Sequence, residues 1–143
     1  MKTLTLKRGK DTSLCRRHPW VFSGAAARVS EMPASGETVQ VIADDGAVLG
    51  YGAYSAESQI RVRMWTFTED TPDVPALIKS RVAEAAGFRK RMLSGLTNAY
   101  RAVHAESDGI PGLIADVYGY VVVCQFLTAG AEAHKSSIVE ALR

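Results

Sequence analysis

Between Gly36 and Phe67, apolar positions recur every second residue in short runs broken by turn signals: ETVQVIA, the turn DDGA, VLGYGAYS and QIRVRMWTF. A period of two is that of a half-buried strand. In the last run Ile60, Val62, Met64 and Thr66 alternate with Arg61, Arg63, Trp65 and Phe67. One face is therefore apolar, and the other opens with two arginines, as in a strand whose outer face is polar. MKTLTLK alternates in the same way, and GAAARVS supplies a further strand. Several strands and few helices over this stretch predict a small β-barrel or sandwich.

The pattern changes at TEDTPDVP, where two prolines and three acids mark a linker and a helix start. Asp73 is placed to cap that helix, with Pro75 in its first turn. Val74, Leu77, Ile78, Val82, Ala85, Phe88 and Met92 then follow a period close to 3.6 until SGLTN stops the helix. The next segment, AYRAVHAESDGIPGLIADVYGYVVVCQF, reads as a strand, a turn-rich loop and a hairpin. TAGAEAHKSSIVEALR reads as one terminal helix carrying Ala131, Ile138 and Leu142 on a common face. The fold class predicted is mixed α/β: residues 1–70 a small barrel, 71–75 a linker, and 76–143 part of a small α+β domain.

Charge sharpens this picture. The 143-residue chain carries a net charge of only +2, but up to Arg28 it has seven Lys or Arg residues against one acid, Asp11. A second basic stretch, Arg89, Lys90, Arg91 and Arg101, has no acid between Glu84 and Glu106. Two basic concentrations are the pattern of phosphate binding, and equally that of solvated helix ends; Arg89 to Arg91 also suit a helix C-terminus. Cys15 and Cys124 form no CxxC pair and have no histidine at ligand spacing, so both are expected to be buried thiols in a reducing cytoplasm, with no metal site. The longest apolar run, YVVVCQFL, is too short to span a bilayer, so no membrane association and a cytoplasmic location are expected.

The segment CRRHPWVFSGA holds the densest candidate chemistry. Pro19 ends the short helix KDTSLCRR, leaving Arg16 and Arg17 in its last turn. Cations at that end are mildly stabilising and Trp20 and Phe22 can be core; two guanidiniums beside a histidine and an aromatic edge also suit a phosphate and a stacked base. His104, Glu106 and Asp108 make an acid-base trio on paper, but their Asp-Gly and Pro-Gly neighbours predict a tight loop whose polar groups serve its own backbone. GYG at Gly50 to Gly52 lacks the strand-to-helix setting of a dinucleotide loop. No catalytic residue is assigned in this chain.

Three blocks, LCRRHPWVFSGA, GAYSAESQIRVRMWTF and YRAVHAESDGIPGLIADVYGYVVVCQ, keep one order and spacing across nearly the whole chain. Together they resemble the N-terminal part of the bacterial S-adenosylmethionine-dependent methyltransferases that make 5-methylcytosine in large-subunit ribosomal RNA. The resemblance implies an RNA-binding PUA barrel, then the start of a central α/β domain. The family's Rossmann-like catalytic domain, with its glycine-rich cofactor loop and nucleophilic cysteine, is absent from this sequence. Neither Cys15 nor Cys124 sits in that cysteine's motif. The chain alone is thus expected to bind no cofactor and to be inactive, S-adenosylmethionine belonging to the parent enzyme. The implied partner is ribosomal RNA, held through a groove beside the first helix. Lys7, Arg8 and Lys10, which begin that helix, and Arg16, Arg17 and His18, which end it, are the implied contacts, with Arg61 and Arg63 behind them. On this reading Cys15 packs, and Trp20 and Phe22 are core. A stand-alone RNA-binding module, a PUA module of another RNA-modifying enzyme, and a protein-interaction module using the hairpin around Tyr118, including a homodimer, stay open.

Overall fold

All the period-two segments of the first half form strands: β1 (Thr3–Leu6), β2 (Trp20–Phe22), β3 (Ala26–Val29), β4 (Thr38–Ile42), β5 (Val48–Tyr54) and β6 (Ile60–Thr66). The structure is a computed structural model that describes residues 1–93 and 95–143, and the chain divides into two units, Met1–Pro72 and Asp73–Arg143.

In the first unit the strands make one curled sheet, a half-barrel, in the order β2-β6-β5-β4-β1-β3. Only β1 and β4 run parallel; the other neighbours are antiparallel. The curl is carried by register breaks, at Val41/Ile42 between β4 and β5 and at Tyr51/Gly52 between β5 and β6. Such irregularities raise local twist and bend the strand. At Gly50 the backbone has φ +135°, and a Cβ there would lie 2.1 Å from the Thr66 carbonyl oxygen, so the two strands approach as only glycine allows. Inside the curl Leu4, Leu6, Leu14, Val21, Val39, Val41, Tyr54, Val62 and Met64 pack together. Each such side chain contributes roughly 1.5–3 kcal/mol by leaving water.

Three sequence expectations change here. The second face of β6 is polar only at its start, because Trp65 is 2% exposed. Trp20 and Phe22 are not core: β2 alternates around the buried Val21, which leaves Trp20 half-buried and Phe22 49% exposed. Cys15 is exposed rather than packed, since a single helical turn turns Leu14 inward and its neighbour out.

In the second unit α2 (Val74–Leu93) is capped by Asp73, whose Oδ1 accepts the Ala76 amide at 3.1 Å. Val74, Ile78, Val82 and Ala85 are buried, whereas Phe88 and Met92 are 50% and 61% exposed, so the apolar stripe outlasts the core it covers. Of the stop signal SGLTN, Ser94 lies outside the described residues. The strands β7 (Ala99–His104), β8 (Leu113–Tyr118) and β9 (Val121–Phe126) form an antiparallel sheet with β8 central. The terminal helix is two helices, α3 (Ala129–Ala133) and α4 (Lys135–Ala141), broken at His134 where φ is −102° and ψ 17°. The break lets α3 pack on β9 while α4 turns to α2, so that Ala131 and Ile138 are both fully buried.

Of the acid-base trio, Asp108 holds its own loop. Asp108 accepts the His104 amide at 2.6 Å and both terminal nitrogens of Arg89 at 2.6 and 2.7 Å. Burial by itself raises the Asp108 carboxyl pKa, but the Arg89 guanidinium and the His104 amide outweigh it and hold the group below the usual carboxylate range. Arg89 also donates to the Arg101 carbonyl at 3.2 Å, so this cation of the second basic stretch is committed to the fold. Arg101 is paired with Asp116 at 2.8 Å.

Candidate nucleic-acid interface

The basic corner of the first unit is contiguous in sequence. After β1 the chain turns at Lys7 to Lys10, closed by the Lys10 amide on the Lys7 carbonyl at 3.0 Å, with Gly9 at φ 72°. Lys7 ties this turn to the next: its amide donates to the Ala25 carbonyl at 2.8 Å and its Nζ to the Gly24 carbonyl at 2.9 Å. Lys7, Arg8 and Lys10 thus precede the first helix instead of beginning it, and all three are exposed. Arg8 borders a hollow of about 370 Å³ that Asp11, Asp44 and Asp45 also line.

The helix itself, α1 (Thr12–Cys15), is a single turn. Arg16 is its C-cap, and Arg17 is left-handed at φ 60°. The Arg17 amide donates to the Leu14 carbonyl at 2.8 Å and the His18 amide to the Ser13 carbonyl at 2.9 Å. These are the paired bonds of a Schellman stop, whose left-handed residue is usually glycine. The arginines therefore do not lie in a last helical turn, and one turn of helix has too small a dipole to account for them. Arg16, Arg17 and His18 are all exposed.

From Pro19 the chain enters β2, and the rings of His18, Trp20 and Phe22 follow one another edge to face, with centroids 5.5 and 6.2 Å apart. The register pairs Trp20 with Arg63 of β6, whose guanidinium lies 5.2 Å from the Trp20 ring centroid. Arg63 thereby joins the corner. Arg61 does not: the β2–β6 register steps from Val62 to Ile60, and Arg61 donates to the Ser55 carbonyl at 3.1 Å and to the Ala56 carbonyl, with its guanidinium over Tyr54. Lys2, paired with Glu37 at 2.9 Å, is held elsewhere too. Of the two sequence alternatives for Trp20 and Phe22, core burial fails and an aromatic edge beside the arginines stands, here as a row of rings. Its signal was the alternation Trp20-Val21-Phe22, which puts both rings on the face opposite Val21.

A half-barrel of this strand order, with a one-turn helix between its first two strands, agrees with what the sequence matches. Residues 4–67 match the PUA-like domain family. The PUA-like domain thus accounts for the sheet and the basic corner, and the match ends before the second unit begins. Over nearly the whole chain, the protein named ribosomal RNA large subunit methyltransferase I from Pseudoalteromonas atlantica is 44% identical across 142 residues, 98% of this chain and 36% of that protein. Its namesake from Shewanella amazonensis is 45% identical across 141 residues, 97% of this chain and 35% of that protein. The chain therefore spans about a third of the length of these curated relatives. Among solved structures, one described as a SAM-dependent methyltransferase from Streptococcus mutans superposes with a TM-score of 0.83 at 19% identity, covering all of this chain and 37% of that one. A second, described as a methyltransferase complexed with SAH, gives 0.83 at 20% identity, again with 37% of that chain covered. At those identities the likeness is one of fold. Among the described residues no helix is long and apolar enough to cross a membrane.

Proposed function

We propose that this chain is the RNA-binding N-terminal portion of a large-subunit ribosomal RNA methyltransferase, acting in the cytoplasm on cytosine C5. In this reading the PUA-like domain holds ribosomal RNA so that a catalytic domain outside these residues reaches its base. The observation that carries it is the exposed, contiguous basic corner from Lys7 to His18 on a PUA-like sheet, in a chain 44% identical to a named ribosomal RNA methyltransferase. Lys7, Lys10, Arg16 and Arg17 supply phosphate contacts, with Arg8 weaker beside its acids. Arg63 borders the aromatic row, which His18 begins, and Arg61 serves the fold.

S-adenosylmethionine, the methyl donor of the parent enzyme in this reading, would need a glycine-rich turn from a strand to a helix. Gly50 to Gly52 does not fit it, because these residues lie inside β5 with the Thr66 backbone in the way. No step is drawn through the cofactor.

The test is titration of the chain with ribosomal RNA fragments at several salt concentrations. Counterion release predicts a linear fall of log K with log salt, and Arg16→Ala or Arg17→Ala each lowers the slope by roughly 0.7–0.9. Affinity indifferent to both substitutions and to salt refutes the assignment.

A second reading rests on β9. Among the described residues it pairs only with β8, and it exposes Val121, Val122 and Val123 at 59%, 41% and 47%, with Tyr118 and Tyr120 beside them. An apolar edge strand favours addition of another strand, here from a second copy of the chain. Sedimentation at several concentrations separates the two readings: a monomer throughout refutes the second.

A further inference from the structure

A single phenyl ring on a protein surface needs no explanation, but three aromatic rings in a row beside two arginines do. The row stands on the outer face of the corner, because Val21 takes the inward position of β2. Phe22 at its far end is 49% exposed, and His18 at its near end is exposed beside Arg16 and Arg17. Interplanar angles of 89° and 83° present successive rings at right angles instead of closing them on each other face to face. Local contacts hold the row. The His18 Nδ1 accepts the Trp20 amide at 3.3 Å, Pro19 restricts the backbone between them, and Arg63 braces Trp20 across the sheet. The sheet thus sets the position of Phe22 and His18 before any ligand arrives, which lowers the entropy lost on binding.

We infer that His18 and Phe22, carried on Trp20, form a stacking site for unpaired nucleobases whose phosphates run over Arg16 and Arg17. The inference rests on the RNA reading above and narrows it. The basic turn gives affinity for any polyanion, whereas the row selects RNA whose bases are splayed out, as in a loop, a bulge or a strand end. In a duplex the π-faces are already stacked on their neighbours and offer the row nothing.

The experiment measures binding of the full chain to a short unstructured oligoribonucleotide and to the same strand annealed to its complement, with the wild type, Phe22→Leu and His18→Ala. Leucine keeps an apolar side chain at a half-exposed position, and melting curves of both variants check that the fold is intact. Phe22→Leu is expected to weaken single-strand binding roughly 5- to 150-fold, the range found for loss of one base-stacking ring. The salt slope and the duplex affinity stay as in the wild type, and His18→Ala acts in the same direction. Unchanged single-strand affinity in both variants, with the wild-type salt slope still present, overturns the stacking site and leaves the RNA reading standing. Equal losses on single strand and duplex overturn it as well. If neither RNA form binds at low salt, the RNA reading itself fails.

Discussion

On the proposed RNA reading, Arg17→Gly is expected to change stability and RNA affinity with opposite sign. Arg17 holds φ 60° at the stop of α1, where its amide and that of His18 close the Schellman bonds to Leu14 and Ser13. A left-handed backbone costs a non-glycine residue about 1–2 kcal/mol, from contact of Cβ with the following carbonyl. Glycine removes that cost and returns about 0.4–1 kcal/mol of it through a freer unfolded chain. The net expectation is a gain of about 0.5–1 kcal/mol, a rise in Tm of several degrees for a domain of this size. If Arg17 contacts phosphate as proposed, the same substitution removes that contact, and the slope of log K against log salt is expected to fall by about 0.7–0.9. Arg17→Ala is the control: it loses the contact and keeps the left-handed strain, so the slope falls without a gain in Tm. Thermal and urea melts of the free chain and RNA titrations across salt read the two effects separately. An unchanged or lower Tm for Arg17→Gly refutes the strain argument. An unchanged slope in both variants removes Arg17 from the phosphate track.

Gly50→Ala is expected to destabilise the first unit by about 2–4 kcal/mol, combining left-handed strain with overpacking against the Thr66 carbonyl, and urea melts check it. Arg89→Ala strips the half-buried Asp108 carboxylate of its partner and should cost about 1–3 kcal/mol in the second unit, while leaving RNA affinity unaltered. Asp108 also sets an acid limb. Its folded pKa lies below its unfolded value of about 3.9, so the stability it contributes is present above about pH 4 and is lost as pH falls through the lower folded value. Asp108→Asn flattens that limb in melts taken at decreasing pH, and an unaltered acid limb would remove Asp108 as its source.

Most of the elements were legible because they are local. Alternation over Thr38–Ile42 and Ile60–Thr66, the Asp73 cap and the Gly119 turn each act within a few residues. The candidate surface was legible for the same reason, since Lys7 to His18 form one uninterrupted segment. Where local pattern misled, packing overruled it. Helical periodicity ran on through Phe88 and Met92, but burial ended at Ala85. A helix drawn over the whole of TAGAEAHKSSIVEALR broke at His134 because its halves pack on different neighbours.

By itself the sequence determined the strands, the turns and the clustering of cations at one corner, because period, proline, glycine and charge work over a few residues. Tertiary structure alone decided which cations are available and which rings face water. Arg61 and Arg63 look equivalent along β6, yet the register with β2 sets Arg63 on Trp20, while Arg61 turns to the Ser55 and Ala56 carbonyls. Arg89 looks like a free helix end until the fold brings Asp108 against it. Strand register and loop closure join residues distant in the chain, and no local pattern encodes which partner a side chain meets across such a distance.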